Sequence, residues 1–220
     1  FKGGQPNPTY KITTDTKSLV LRRKPPGKLL PSAHAVDREY KVISALYETD
    51  VPVPKTYGLC EDESIAGTAF FVMDFLDGDI YWNPMLPSLK KEDRIKIYSS
   101  KNKTLAALHS VDYKKVGLGD YGKPGNYVSR QIARWSRQYK ASETDNIDAM
   151  NNLIKWLPEN IPNDDETSIV HGDFRLDNMI YKNNDVIGVL DWELSTLGHP
   201  VADFSYHCLT WRTEPMYSDY

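Results

Sequence analysis

Cysteine is scarce in this chain of 220 residues, which contains only Cys60 and Cys208. The two lie far apart in the sequence and belong to no CxxC or Cys/His pattern, so neither a disulfide framework nor a zinc site is predicted. This usage fits a reducing intracellular compartment. We expect the cytoplasm or, if the chain is eukaryotic, a peroxisome or a mitochondrion.

Long apolar runs and an excess of one charge are also lacking. No stretch approaches the roughly 20 apolar residues that a membrane helix needs, and the N-terminus lacks the basic-then-apolar pattern of a signal peptide. The chain has 27 Lys and Arg against 30 Asp and Glu, a net charge of -3. We therefore expect neither nucleic acid nor membrane as a partner, and composition indicates nothing about protein partners.

The length and a hydrophobic content of 40% suit one compact unit of two lobes. The sequence begins at Phe1 without a methionine and ends at Tyr220 in a polar run. We expect elements of the fold to be missing at both ends.

The first part of the chain is predicted to be mainly sheet with one helix. Apolar residues at three- and four-residue spacing predict the helix over Ala33–Tyr47, which presents Glu39 from its middle. Strand patterns, separated by turn residues, occur at Thr9–Thr13, Ser18–Arg23, Lys55–Cys60 and Ala69–Phe75.

The second part is predicted to be mainly helical. One long helix runs from Lys91 to near His109, and another covers Val128–Tyr139. Two short apolar strands, Ile169-Val170 and Asp185–Leu190, bracket a polar loop.

That polar loop contains the residues with the strongest chemical signal. It reads His171-Gly172-Asp173-Phe174-Arg175-Leu176-Asp177-Asn178, and Asp191 follows Asn178 by thirteen residues. Phosphoryl transfer needs a carboxylate facing the attacking hydroxyl and oxygen ligands for Mg²⁺, and protein kinases use this spacing. By that mapping Asp173 is the base, and Asn178 and Asp191 are metal ligands. Single Asp or Asn residues often only shape turns, but the whole spaced set favours catalysis.

The sequence resembles the aminoglycoside phosphotransferase and choline kinase superfamily. The resemblance rests on His171-Gly172-Asp173 with Asn178, Leu190-Asp191-Trp192-Glu193, Gly198-His199-Pro200 and Asp203. It implies an α+β, protein-kinase-like bilobal fold: an N-terminal antiparallel sheet plus one helix in residues 1–76 with the hinge, and a mainly helical C-terminal lobe in residues 77–220. It also implies ATP and Mg²⁺, a small-molecule acceptor, and support of the catalytic loop by Asp203, while hydrogen bonds of His171 are expected to support the same loop.

A closer resemblance is to the kinase-like domain fused to some acyl-CoA dehydrogenases and to its stand-alone relatives. It rests on the segments Leu21–Gly27, Ala33-His34, Asp37–Tyr40 and Leu190–Pro200 and covers nearly the whole chain. This kinship implies phosphorylation of the hydroxyl group of a hydroxyacyl-CoA or a hydroxy acid.

The nucleotide side of the site departs from the usual kinase pattern. The family alignment puts Arg22 where kinases carry the phosphate-binding lysine and Glu39 as its partner, while Lys24 lies on the same strand face and stays a rival. By resemblance, the loop containing Gly4 covers the triphosphate, although Pro6 offers it no N–H.

The resemblance also assigns an inter-lobe hinge to the segment that follows the last strand of the first part. The backbone of this segment, between Asp74 and Leu76, is expected to meet the adenine edge. The apolar residues just before it fit a core strand equally well.

For the acceptor, the helix Val128–Tyr139 carries a cationic stripe of Arg130, Arg134 and Arg137 that would suit the phosphates of a CoA-like molecule. A solvated helix face is the commoner meaning of such a stripe. Arg175, inside the catalytic loop, would touch the acceptor or the γ-phosphate.

Two other functions stay open. One is an aminoglycoside or amino-alcohol kinase, whose cationic acceptor calls for an acidic pocket. The other is a pseudokinase that binds nucleotide with little turnover, which Arg22 and Pro6 suggest and the intact set of Asp173, Asn178 and Asp191 opposes.

Overall fold

The structure is a computed structural model that describes residues 7–27, 35–163, 166–209 and 211–212. Eight strands occur in the described ranges: β1 Thr9–Thr13, β2 Ser18–Arg23, β3 Thr56–Cys60, β4 Phe70–Asp74, β5 Ser168–Val170, β6 Met179–Lys182, β7 Asp185–Val189 and β8 Thr196–Gly198. The helices there are α1 Val36–Leu46, α2 Glu63–Ala66, α3 Lys91–Ser110, α4 Tyr127–Ser142, α5 Asp148–Glu159 and α6 Val201–Leu209.

The N-terminal part is an antiparallel sheet with strand order β1-β2-β4-β3 and helix α1 packed against it. Alternation along β2 turns Val20 and Arg22 to the buried side, where apolar residues of α1 such as Val42 and Ile43 join Phe71 of β4 in the core. The expected sheet with one long helix is confirmed, with the short α2 as an addition.

The C-terminal part combines helices with two small antiparallel ribbons, β5-β8 and β6-β7. Helix α3 packs on β5 and β7, and α4 packs on α5. The apolar core is continuous between the two parts, because buried side chains of α1 and of the segment around Trp192 belong to the same cluster. The α+β, kinase-like fold class is thereby confirmed in its arrangement.

Some details of the prediction were wrong or incomplete. The polar loop was expected to extend to Asp185–Leu190, but Met179–Lys182 forms the strand β6, which the pairing with β7 stabilises. The helices α5 and α6 and the strand β8 were not predicted at all. In the part of the chain that the structure describes, none of the helices combines the length and apolar character of a membrane span.

A glycine marks the place where the segment after β4 meets the C-terminal ribbon. Asp79 exchanges two backbone hydrogen bonds of 2.8 Å with Tyr181 of β6. A Cβ atom on the preceding Gly78 would lie 2.4 Å from the carbonyl oxygen of Tyr181 and 2.7 Å from Cγ2 of Ile180. Backbone atoms cannot yield as a flexible side chain does, so only glycine fits here.

We expect Gly78→Ala to lower the free energy of unfolding by about 1–3 kcal/mol, the usual cost of overpacking. Gly119→Ala is the matched control, since a Cβ atom at Gly119 meets no heavy atom within 4 Å. Urea unfolding of the two variants measures the difference. Equal stabilities would contradict the close approach at Tyr181.

A buried Lys–His pair joins α3 to α6 near Phe174 of the loop between β5 and β6. Nζ of Lys101 lies 2.9 Å from Nδ1 of His207, and both residues are buried. Burial and the nearby Lys101 cation lower the pKa of His207 to about 4, while burial lowers the pKa of Lys101 to about 8. At neutral pH the lysine is therefore the cation and the imidazole is neutral.

This pair predicts acid sensitivity. Since the folded pKa of His207 lies below its ordinary value of 6.5, the unfolded chain takes up the proton first, and the free energy of unfolding falls as pH drops from about 6.5 to about 4. His207→Gln should lose less stability than wild type between about pH 7 and pH 5 in urea titrations. An equal loss in both proteins would show that His207 does not carry the effect.

Candidate functional site

A cavity of about 730 Å³ lies between the sheet and the C-terminal part. Its apolar walls come from both sides and include Val20, Met73, Phe75, Leu76, Ile180 and Leu190. One region of the lining is polar and charged, with Arg22, Glu39, Asp177, Asn178 and Asp191. A cavity with apolar walls and a few convergent polar groups has the character of a ligand site.

The loop of residues 171–178 connects β5 to β6 and turns sharply at Gly172. This glycine has a φ of 84°, in the left-handed region, and a Cβ atom there would lie 2.9 Å from the carbonyl oxygen of Leu194. The glycine in the motif is thus required by backbone conformation and by close packing.

Asp203, in the first turn of α6, holds the beginning of this loop. Its carboxylate accepts hydrogen bonds from the backbone N–H groups of His171 (2.7 Å) and Gly172 (2.8 Å). Its side chain is buried, and Nε2 of His109 lies 3.3 Å from the same carboxylate. One buried side chain from α6 therefore ties the loop to the helix at two consecutive residues.

His171 ties the loop to the strand that precedes Asp191. Its Nδ1 accepts the backbone N–H of Asp173 at 3.2 Å, so its Nε2 is the donor to the carbonyl oxygen of Leu190 at 2.9 Å. Burial lowers the pKa of His171, which keeps the ring neutral. The imidazole thus links Asp173 to the residue before Asp191 without carrying charge.

The Asp173 carboxylate is oriented from several sides. Nδ2 of Asn178 donates to its Oδ2 at 2.9 Å and to its backbone carbonyl at 2.9 Å, and Nε of Arg175 lies 3.0 Å from Oδ1. Burial and the nearby Asp173 carboxylate raise the pKa of Tyr206 on α6. Asp173 does not line the cavity itself, but both Asn178 and Arg175 do. It therefore lies at the margin of the cavity.

Asn178 and Asp191 are neighbours because the backbone N–H of Leu190 donates to the carbonyl oxygen of Asn178 at 2.8 Å. Asp191 itself has a φ of 62° at the point where β7 has ended. Since Nδ2 of Asn178 is used on Asp173, its amide oxygen is the atom left to serve as a ligand.

The metal ligands of this site would be few. The described ranges contain no group of three or more His, Cys, Asp or Glu that could hold a metal ion. Mg²⁺ typically takes one or two protein carboxylates and completes its shell with water and substrate phosphates. One carboxylate, Asp191, and one amide oxygen, Asn178, fit a metal that binds together with phosphates.

Arg22 is the basic residue of β2 that reaches the site. Its Nε lies 2.7 Å from Oε2 of Glu39 and its Nη2 lies 2.7 Å from Oδ1 of Asp191, and its side chain is only 4% exposed. Burial raises the pKa of Glu39 to about 7 in spite of the Arg22 cation. Lys24, the rival on the same strand, does not line the cavity.

Of the remaining predicted residues, some line the cavity and others lie outside the residues that the structure describes. Asp74 and Leu76 line the cavity at the end of β4, and Gly4 lies outside the described residues, as does Pro6. Arg175 lines the cavity and lies 3.1 Å through Nη2 from Oδ2 of Asp177.

The three arginines of the stripe expected at the acceptor, Arg130, Arg134 and Arg137, are in α4 and do not line the cavity. Arg130 donates to the carbonyl oxygens of Lys123, at 2.6 Å, and Gly125, so its guanidinium secures the turn before the helix. Arg134 is exposed, with its guanidinium carbon 5.5 Å from the ring centroid of Trp135.

Two residues of the site were not singled out from the sequence, although Asn7 ends the loop that was expected to cover the triphosphate. Asn7 lines the cavity, and its side-chain amide is buried with no hydrogen-bond partner in the described part of the chain. Tyr206 follows Asp203 by three residues, which puts both on one face of α6. That spacing was the available signal for Tyr206, but it becomes visible only if the helix has been recognised.

The chain is similar to known proteins over nearly its whole length. The chain is similar to acyl-CoA dehydrogenase family member 10 of Mus musculus, with 50% identity over 96% of this chain, and to the probable acyl-CoA dehydrogenase IBR3 of Arabidopsis thaliana, with 48% identity over 95%. It spans only 20% and 27% of the length of these two relatives.

Among solved structures, a protein of Ralstonia eutropha provisionally described as an aminoglycoside phosphotransferase shares 52% identity at a TM-score of 0.90, over 98% of this chain and 64% of that one. An aminoglycoside phosphotransferase in complex with ADP and hygromycin B shares the fold at 14% identity and a TM-score of 0.68, over 96% of this chain and 71% of that one. The model of the phosphotransferase enzyme family matches residues 1–217. The chain therefore belongs to the phosphotransferase enzyme family.

Proposed function

We propose that this chain is a small-molecule kinase that transfers the γ-phosphoryl group of ATP to an alcohol hydroxyl. The observation that carries the proposal is the grouping of Asp173, Asn178 and Asp191 around one side of a cavity that also contains Arg22. Nδ2 of Asn178 donates to Asp173, and its carbonyl oxygen accepts the backbone N–H of Leu190, the residue before Asp191. In this proposal residues 1–76 bind the nucleotide, and residues 77–220 supply the catalytic loop and the acceptor site.

The residues of the cavity suit ATP in a definite orientation. The apolar walls, including Val20, Met73 and Leu190, would enclose the adenine, whose edge would face the backbone between Asp74 and Leu76. Arg22 would bind the phosphates with the guanidinium N–H groups that Glu39 does not occupy.

Asp173 would act on the acceptor. Its carboxylate is held by Asn178 and Arg175 at the margin of the cavity, so it can orient an acceptor hydroxyl and accept its proton. Asn178 and Asp191 would hold Mg²⁺, which when bound with ATP neutralises charge on the phosphates. His171 and Asp203 would keep the loop in this shape through the hydrogen bonds described above.

The acceptor that we propose is a hydroxyacyl-CoA or a hydroxy acid. The names of the curated relatives link this kind of domain to acyl-CoA dehydrogenases. Leu194, which is 60% exposed and packs beside Gly172, offers an apolar surface near Asp173, and Arg175 offers a partly exposed cation there. Arg134 would contact an acceptor phosphate from α4, whereas Arg130 is already bonded to two carbonyl groups.

A screen of ATP consumption tests the proposal. Purified protein with Mg²⁺ is offered hydroxyacyl-CoAs, free hydroxy acids, choline and aminoglycosides, and Asp173→Asn serves as the matched variant. We expect a hydroxyacyl-CoA or hydroxy acid to raise turnover, and Asp173→Asn to lower that turnover by roughly 100-fold or more, because the proton acceptor is lost.

The other outcomes separate the rival functions. Turnover with aminoglycosides or choline alone would keep the kinase and replace the acceptor class. If no acceptor raises turnover above that of Asp173→Asn, the kinase proposal fails and the pseudokinase takes its place.

A further inference from the structure

The side chain of Arg22 bridges two carboxylates that belong to different parts of the fold. Nε is hydrogen-bonded to Glu39 of α1 and Nη2 to Oδ1 of Asp191, each at 2.7 Å. The side-chain exposures are 4% for Arg22, 2% for Glu39 and 17% for Asp191. Asp191 is therefore the more accessible of the two carboxylates and the one that a solute can reach.

The cation of Arg22 disfavours the binding of a metal ion at Asp191. A cation on Asp191 would lie within a few ångströms of the guanidinium in a poorly solvated site, where like charges repel strongly. With one carboxylate and one amide oxygen as protein ligands, the site offers little to offset that repulsion. A divalent cation alone should therefore compete poorly with Arg22 for Asp191.

Phosphate groups would change this balance. Guanidinium binds phosphate through paired N–H groups, and the bond from Nε to Glu39 would keep Arg22 anchored while its Nη end turns away from Asp191. The phosphates also bring the negative charge and the oxygen ligands that the metal lacks.

We infer that Arg22 makes the binding of a metal ion depend on the prior or simultaneous binding of a nucleotide. Without nucleotide, Arg22 is paired with Asp191; when nucleotide phosphates bind the Nη groups of Arg22, Asp191 becomes available to the metal. The inference rests on the proposed function, since it takes Asp191 as the metal ligand. It gives Arg22 a role in the order of binding, in addition to holding phosphates.

The affinity of the protein for Mn²⁺ tests the inference without turnover. The electron paramagnetic resonance signal of the unbound ion measures how much Mn²⁺ the protein has bound. The test variant is Arg22→Met with Glu39→Gln, which avoids leaving Glu39 buried and unpaired. The matched control is Arg23→Met with Glu39→Gln, which has the same net charge as the test variant. It removes the arginine next to Arg22, and the side chain of Arg23 points to the other face of β2. Thermal unfolding checks that both are folded.

Without nucleotide, we expect the Arg22 double variant to bind Mn²⁺ at least about tenfold more tightly than the Arg23 control, as removal of one close cationic repulsion implies. A non-hydrolysable ATP analogue should tighten Mn²⁺ binding to the wild type by a larger factor than to the Arg22 double variant. Equal Mn²⁺ affinities of the two double variants without nucleotide would overturn the inference.

Two further variants keep the result decisive. If the Arg22 double variant does not fold, Arg22→Gln with Glu39→Gln replaces it: glutamine keeps a polar side chain at this position but removes the cation. Mn²⁺ binding tighter than that of the Arg23 control supports the inference, and equal binding overturns it. Asp191→Asn tests the underlying function. If it binds Mn²⁺ with the nucleotide analogue as tightly as wild type, Asp191 is not the metal ligand and the proposed function fails with the inference.

Discussion

The buried ion pairs of Arg22 connect the two parts of this molecule at the place where its chemistry is expected. One guanidinium, 3% exposed, lies between Glu39 of the helix beneath the sheet and Asp191 after β7. Buried charges are costly unless they are paired and hydrogen-bonded, so each of the three constrains the other two. The sheet, the helix α1 and the segment that begins at Asp191 are thereby fixed relative to one another around the cavity.

A second set of polar contacts stabilises the loop that faces this bridge. Asp203 binds two consecutive backbone N–H groups, and the neutral ring of His171 connects the loop to Leu190. These contacts position Asp173 and Asn178 from buried side chains, while the Asp173 side chain remains partly exposed. In the proposed function, buried groups would thus position an accessible reacting carboxylate.

Much of the fold could be predicted from the sequence because its signals are local. The strands Thr9–Thr13 and Ser18–Arg23 were predicted with the same limits that the structure has, since alternation and a polar turn define them. The strand Met179–Lys182 was missed because it lies directly after a polar loop, and its pairing with β7 stabilises it.

In the candidate site, too, local sequence signals could be recognised and long-range contacts could not. The spacing of Asp173, Asn178 and Asp191 is a property of one continuous segment, so sequence could indicate it. The bond between Arg22 and Asp191 joins residues 169 positions apart, and the carbonyl partners of Arg130 depend on how a turn folds back. Family resemblance could point to Arg22 and Glu39 as partners, but not to the second carboxylate that Arg22 binds.

The dependence of ATP binding on Mg²⁺ tests the central claim, that Asp191 and Asn178 complete a nucleotide and metal site beside Arg22. Calorimetric titration of the wild-type protein with ATP, in Mg²⁺ and again in a chelator, measures it. The account predicts ATP binding that is clearly tighter with Mg²⁺, and loss of that gain when Asp191 is replaced by Ala. Equal ATP affinity in Mg²⁺ and in chelator, or no binding in either, would contradict it.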